Sequence, residues 1–148
     1  MPPTDPESSA RVLETGRQLA NWAVGRGGKV IGPDGGFFFR DGSRRSPDAA
    51  WFNSARWQAA KTPNLRFPVF APEFLIEVRS PEQRARPLRE KMDEYVANGV
   101  QLAWLIDPIE HTVTIYRPGR AAEVLEHPAT VAGEGPVDGF VLNLEEIL

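Results

Sequence analysis

Asp48, Glu77 and Lys91 are the residues in this sequence whose types and settings suit chemistry. Asp48 lies in Ser46-Pro47-Asp48-Ala49-Ala50-Trp51-Phe52, a turn-like start running into apolar residues. Glu77 interrupts the apolar run Phe74-Leu75-Ile76-Glu77-Val78, and Lys91 falls beside the stripe formed by Leu88, Met92 and Tyr95. Carboxylate oxygens select hard divalent cations such as Mg2+, and a cation so held activates water toward a phosphodiester. A lysine nearby can orient that water or stabilise the charge that builds on phosphorus-bound oxygens. Each residue also has a plainer reading. Glu77 could meet an arginine or face solvent from an edge strand, Pro-Asp pairs are common in loops, and Lys91 could lay its stem over the core with its amine in water.

The elements that must position these residues can be read from periodicity and breakers. Residues 7–25 read as a helix, with Ser8 or Ser9 as cap, Val12, Leu13, Leu19, Ala20 and Ala23 at helical spacing, and Gly25, Gly27 and Gly28 ending it. Lys29-Val30-Ile31 reads as a short strand, Gly32-Pro33-Asp34-Gly35-Gly36 as a turn, and Phe37–Arg40 as a second strand. Asp41-Gly42 leads into a third strand at about 46–52. Residues 53–73 contain Pro63, Pro68 and Pro72 and read as a long connection with one helical turn near Ala55–Ala60. Phe74–Val78 has the continuous apolar character of a strand buried on both faces. Leu88–Asn98 reads as the second helix, closed by Gly99. Gln101–Ile106, the turn Asp107-Pro108-Ile109-Glu110 and Thr112–Tyr116 read as a hairpin. Gly139–Leu148 reads as a last short strand and a terminal helical turn. This order predicts an α/β fold with a central mixed β-sheet flanked by helices.

Side chains alternate along a strand, so Glu77 shares a face with Leu75 and Arg79, and Asp48 shares one with Ala50 and Phe52. Neighbouring strands lie about 4.8 Å apart. If the two strands pair with these faces matched, both carboxylates reach one cation.

Bulk properties narrow the alternatives. The 148 residues suit a single domain, and 41% apolar with 25% charged content is ordinary for a globular protein. A net charge of −3 argues against a general polyanion binder, although a bound cation or a local basic patch can reverse the field at one site. With no cysteine, disulfides, thiolate zinc sites and a cysteine nucleophile are excluded. His111 and His127 sit in turn-like contexts, which disfavours a catalytic histidine or a multi-histidine zinc site. No stretch reaches the roughly 18 apolar residues of a membrane span. Met1-Pro2-Pro3-Thr4-Asp5-Pro6 lacks the character of a signal peptide, so a cytoplasmic setting is expected. Basic residues are 14 Arg against 3 Lys, which singles out Lys91. Arg79, Arg84, Arg86 and Arg89 form a basic stretch that could meet phosphates or simply be a solvated loop.

Three stretches together carry a family resemblance. They are Arg45-Ser46-Pro47-Asp48-Ala49-Ala50-Trp51, Ala71-Pro72-Glu73-Phe74-Leu75-Ile76-Glu77-Val78-Arg79-Ser80-Pro81, and Leu88-Arg89-Glu90-Lys91-Met92-Asp93-Glu94-Tyr95, the last followed by Asn98-Gly99-Val100, Trp104-Leu105-Ile106-Asp107-Pro108 and Tyr116-Arg117-Pro118-Gly119. Their order and spacing resemble the Uma-type family of putative restriction endonucleases, within the PD-(D/E)XK nuclease superfamily. The resemblance implies one nuclease-like domain over residues 1–148 with a restriction-endonuclease-like core. It implies that Asp48 and Glu77 hold Mg2+ or Mn2+ with the Val78 carbonyl as a further ligand, and that DNA is the substrate, cut to a 5′-phosphate and a 3′-hydroxyl. Arg79, Arg84, Arg86 and Arg89 would seat the backbone, and two copies would pair as a homodimer. The superfamily usually places its lysine two residues after the second acid, where this chain has Arg79, so the resemblance assigns that role to Lys91. The leading hairpin with a Leu-Ile-Asp-Gly-Glu-like segment has no counterpart here, and Ser8 stands where relatives commonly have histidine. A rival reading from another class is a catalytically inactive module that keeps the nuclease fold for binding. A third is a regulatory protein using Trp51 and Trp57 as a partner surface.

Overall fold

The computed structural model describes residues 3–60 and 70–148. Along the chain, α1 (Pro6–Ala23) is followed by β1 (Lys29–Ile31), β2 (Phe37–Phe38), β3 (Arg44–Arg45), β4 (Ala49–Phe52) and α2 (Ser54–Ala60). Then come β5 (Phe74–Val78), α3 (Ala85–Ala97), β6 (Leu102–Asp107), β7 (Thr112–Tyr116), β8 (Glu123–Glu126), β9 (Thr130–Ala132), a 3-10 turn at Gly135–Val137 and β10 (Val141–Asn143).

Every residue of β5 is buried, as its apolar run requires. It lies inside a six-stranded sheet ordered β1-β4-β5-β6-β7-β8. β5 pairs antiparallel with β4 and parallel with β6, and the remaining pairings are antiparallel, so the sheet is mixed. α3 makes the crossover between the parallel pair β5 and β6.

The alternation of side chains builds two cores, one on each face. On one face Ala49, Trp51, Phe74, Ile76, Val78, Trp104 and Ile106 pack against Leu19 of α1 and against Val131, Phe140 and Leu142. On the other, Ala50, Phe52, Leu75, Ala103 and Leu105 pack against Leu88, Met92 and Tyr95 of α3, with Phe37 and Phe39 alongside. Asp48 and Glu77 belong by alternation to the α3 face.

Several boundaries differ from the sequence reading. Asp5, not Ser8 or Ser9, caps α1: its Oδ1 accepts the Ser8 N–H at 2.9 Å, Pro6 occupies the first turn, and Ser8 is itself buried. The helix ends at Ala23, before the glycines. The strand expected at 46–52 shortens to β4, which starts only after Pro47 and Asp48, and a separate β3, paired with β2, precedes it at Arg44–Arg45. α2 runs for seven residues and buries only Ala60, so its apolar signal was weak; the Asn53 side chain accepts the Arg56 N–H at 2.8 Å at its start. Pro63 and Pro68 lie outside the described residues. α3 begins at Ala85, before its first buried side chain, with Pro87 tolerated in the first turn. Gly99 follows its end with φ +104, a conformation that favours glycine.

The hairpin of β6 and β7 forms as expected, its turn held by the Asp107 carboxylate, which accepts the N–H groups of Ile109 at 2.9 Å and Glu110 at 3.1 Å. Trp51 is buried, which removes it from any partner surface, and Trp57 packs against Phe52 at 5.8 Å between ring centroids.

Phe140 ties the C-terminal segment into the core. It stacks on Trp104 at 5.8 Å and 12°, and also meets Trp22 at 5.7 Å and Phe74 at 6.1 Å. Phe140→Ala is expected to lower stability by about 3–5 kcal/mol, the usual cost of emptying a fully packed aromatic site. Urea denaturation monitored by tryptophan fluorescence measures it, and a change under about 1 kcal/mol would contradict this packing.

Candidate active site

The register of β4 on β5 decides where the two acids meet. Ala49 is opposite Ile76, Ala50 opposite Leu75 and Trp51 opposite Phe74. One further step sets Asp48 against Glu77, and directly opposed residues of an antiparallel pair share a face. The ladder stops at Ala49, one residue short, and the Asp48 side chain takes over: its Oδ2 accepts the Val78 N–H at 2.7 Å.

Glu77 is 3% exposed. Its Oε1 accepts the Tyr95 hydroxyl at 2.9 Å and lies 3.3 Å from Lys91 Nζ. Lys91 and Tyr95 are four residues apart on α3, hence on one helical face, and the Lys91 amine also lies 5.8 Å from the centre of the Tyr95 ring. The three residues singled out in the sequence are therefore brought together, Glu77 at the base, Asp48 from the neighbouring strand and Lys91 from the covering helix.

Charge in this corner is unbalanced. Burial, then the nearby Asp48, raise the Glu77 carboxyl from 4.5 to about 7 against the opposing pull of Lys91 and Tyr95. Burial also lifts Asp48 above its ordinary value, opposed by the Val78 N–H and Lys91. The Tyr95 hydroxyl is driven strongly upward by burial and by Glu77, so it remains a proton donor in its bond to that acid. When both acids are ionised, two carboxylates and one ammonium leave a surplus negative charge in a poorly hydrated place.

A divalent cation fits this deficit. The donors are hard oxygens, the set that Mg2+ and Mn2+ take. Among the described residues no group of three or more His, Cys, Asp or Glu converges as a metal cage. The fit is thus to a cation that keeps several of its waters, as Mg2+ does.

Glu73, at the other end of β5, shows what a purely structural buried acid looks like here. It is 1% exposed, its Oε1 lies 2.9 Å from Arg56 Nε, and its other oxygen accepts the Asn53 N–H. The arginine partner expected of an inert buried glutamate is found at Glu73 and not at Glu77.

Of the arginine stretch, Arg79 is engaged within the fold while Arg84, Arg86 and Arg89 are exposed. Arg79 is mostly buried and donates to Asp107 Oδ2 at 2.8 Å and to the Gln83 carbonyl at 3.1 Å, closing the end of β5 onto β6. Exposed Arg86 pairs with Glu90. Arg84 precedes α3 as its cap residue, and Arg89 is exposed on it. None of the ion pairs of these four involves Asp48 or Glu77.

The arginines that share a cleft with Lys91 are Arg44 and Arg45. With Ser46, Pro87, Glu90, Glu94 and Lys91 they line an open cleft of about 530 Å3. Arg45 pairs with Glu94 and lies over the Phe39 ring at 5.0 Å. The Arg-Arg pair just before Pro47-Asp48 was the available signal, since the segment that delivers the aspartate must carry its neighbours to the same rim. Asp48 borders a different, more apolar cleft of about 340 Å3 with Val12, Leu13, Val30 and Ile31. A larger cleft of about 620 Å3, at Phe38, Arg56, Phe70 and Gly99, shares no residue with the acids.

Comparison with known proteins agrees with this fold. The Uma2 family model, described as "Putative restriction endonuclease", matches residues 1–145. No curated protein matches. Among solved structures, a putative nuclease belonging to DUF820 from Anabaena variabilis ATCC 29413 aligns with a TM-score of 0.83 and 24% identity, over 99% of this chain and 82% of that one. That likeness is one of fold.

The raised Glu77 carboxyl sets the sign of a pH dependence. Between about 4.5 and 7 the folded chain holds a proton on Glu77 that the unfolded chain has released, so metal-free stability falls as pH rises through that window and levels off above it. The Glu77 contribution is about 3 kcal/mol at most. Glu77→Gln, which cannot ionise, is expected to flatten this part of the curve. Urea midpoints at pH 5 and pH 7.5 measure it, and equal slopes for the two proteins would contradict the assignment.

Proposed function

Because the chain belongs to the Uma2 family of putative restriction endonucleases, we propose that it is a metal-dependent endonuclease that hydrolyses phosphodiester bonds of DNA. The observation that carries this reading is the Lys91 amine 3.3 Å from the Glu77 carboxylate, beside an aspartate delivered to the same face. Asp48 and Glu77 hold Mg2+ or Mn2+, with the Val78 carbonyl as a further oxygen ligand. When bound, the cation supplies a more acidic water and neutralises charge on the scissile phosphate.

The chain's own groups do the rest. The Val78 N–H holds Asp48 by one oxygen. Lys91 turns from Glu77 toward the attacking water or the phosphoryl oxygens, orienting the one or stabilising the other. Arg44 and Arg45, on the cleft that Lys91 also lines, seat the DNA backbone. Exposed Arg84, Arg86 and Arg89 extend that seat, since the surface pair of Arg86 with Glu90 is weak enough to yield to phosphate. Arg79 supports the site indirectly, by fixing the end of β5 through Asp107. Pairing of two copies would let both strands be cut, and the proposed setting is the cytoplasm. Among the described residues no helix is long and apolar enough to cross a membrane.

One observation favours a second reading. Arginine at position 79, engaged with Asp107, stands where the wider superfamily usually carries its lysine. A non-catalytic module that keeps the fold would show no carboxylate-dependent binding of Mn2+ in titration calorimetry.

Purified protein is expected to nick supercoiled plasmid with Mg2+ or Mn2+ and to stop on chelation. Asp48→Asn, Glu77→Gln and Lys91→Ala should each lower the rate by roughly 100-fold or more, the scale of losing a ligand or a charge that acts in the transition state. Undiminished nicking by all three variants would assign the activity elsewhere.

A further inference from the structure

Resting on the nuclease reading above, we propose that Tyr95 is a positioning residue for the metal-binding acid. Its hydroxyl holds Glu77 by Oε1, leaving the other carboxylate oxygen for the divalent cation and leaving Lys91 able to turn toward the substrate.

The hydrogen bond and the ion pair fall on the same oxygen, Oε1. The two donors differ in stiffness. The Lys91 side chain is a long flexible stem, 30% exposed. Tyr95 is fully buried, its ring set between Phe39 at 6.0 Å and Phe37 at 6.3 Å, with Leu88 and Met92 in the same cluster. Packing from α3 and from the β2 segment thus fixes where the hydroxyl points.

A lysine acting alone would face a conflict. To reach the substrate it must leave Glu77, and a buried carboxylate without a donor carries a large desolvation penalty. With the Tyr95 hydroxyl in place, Glu77 keeps a hydrogen bond while Lys91 moves. Residues that orient a metal ligand in this way commonly account for about 10- to 100-fold in metal affinity. A buried tyrosine that merely needs a partner for its hydroxyl would leave that affinity unaffected.

The test compares wild type, Tyr95→Phe and Glu77→Gln by Mn2+ titration calorimetry at pH 7.5, with melting curves of the metal-free proteins. Tyr95→Phe keeps the ring and its packing and removes only the hydroxyl. The expected result is loss of binding in Glu77→Gln and about 10-fold weaker binding in Tyr95→Phe, with a folded, cooperative melt in both. The Mn2+-induced rise in Tm should also shrink in Tyr95→Phe. Wild-type affinity in Tyr95→Phe, with binding lost in Glu77→Gln, would overturn the role of Tyr95 and leave the nuclease reading standing. Equal affinity of wild type and Glu77→Gln, or no binding by wild type, would overturn that reading itself.

Discussion

A carboxylate with almost no access to water sits on an inner strand of the sheet, and the rest of the site is arranged around supporting it. Glu77 occupies a position that β5 would otherwise fill with an aliphatic side chain. Its support comes from one turn of α3, through a hydroxyl and an ammonium, and its charge conflicts with that of Asp48. A site of this kind is unstable toward excess negative charge. That leaves it a demand for positive charge, which a proton on Glu77 or a cation meets.

Meeting the demand requires three independent alignments. β4 must enter the sheet in the register that sets Asp48 against Glu77, and Pro47 helps by ending the ladder just where the aspartate has to leave it. α3 must lie on the same face, which its buried Leu88, Met92 and Tyr95 ensure. The far end of β5 must stay in line, and there buried Glu73 pairs with the partly exposed Arg56. The two glutamates of this segment thus differ in setting through their partners.

Much of this was legible in the amino-acid sequence. Continuous apolar character marked β5, and a polar turn between apolar runs marked the hairpin of β6 and β7. The spacing of Leu88, Met92 and Tyr95 alone turns Lys91 toward the sheet. Less was legible where the signal is not periodic. Asp5 outcompeted the serines as cap because a proline follows it. β8 and β9 are short and largely exposed, so residues 117–138 carry little alternation to read. The contacts of Arg79 depend on Asp107, a partner across the parallel pair that spacing does not reveal. Tyr95 looked like one more core aromatic; its hydroxyl gained meaning only when the strand opposite was seen to carry an acid.

The crossover from β5 through α3 to β6 places Glu77, Lys91 and Tyr95 in a single contiguous stretch of chain, whereas Asp48 arrives on a separate strand from the N-terminal half. Glu77 and its two α3 partners can therefore assemble from near neighbours. The second acid joins only when distant segments close over the sheet. On the proposed metal-binding reading, cation uptake would proofread folding, because only a chain whose two halves have docked correctly presents both acids at once.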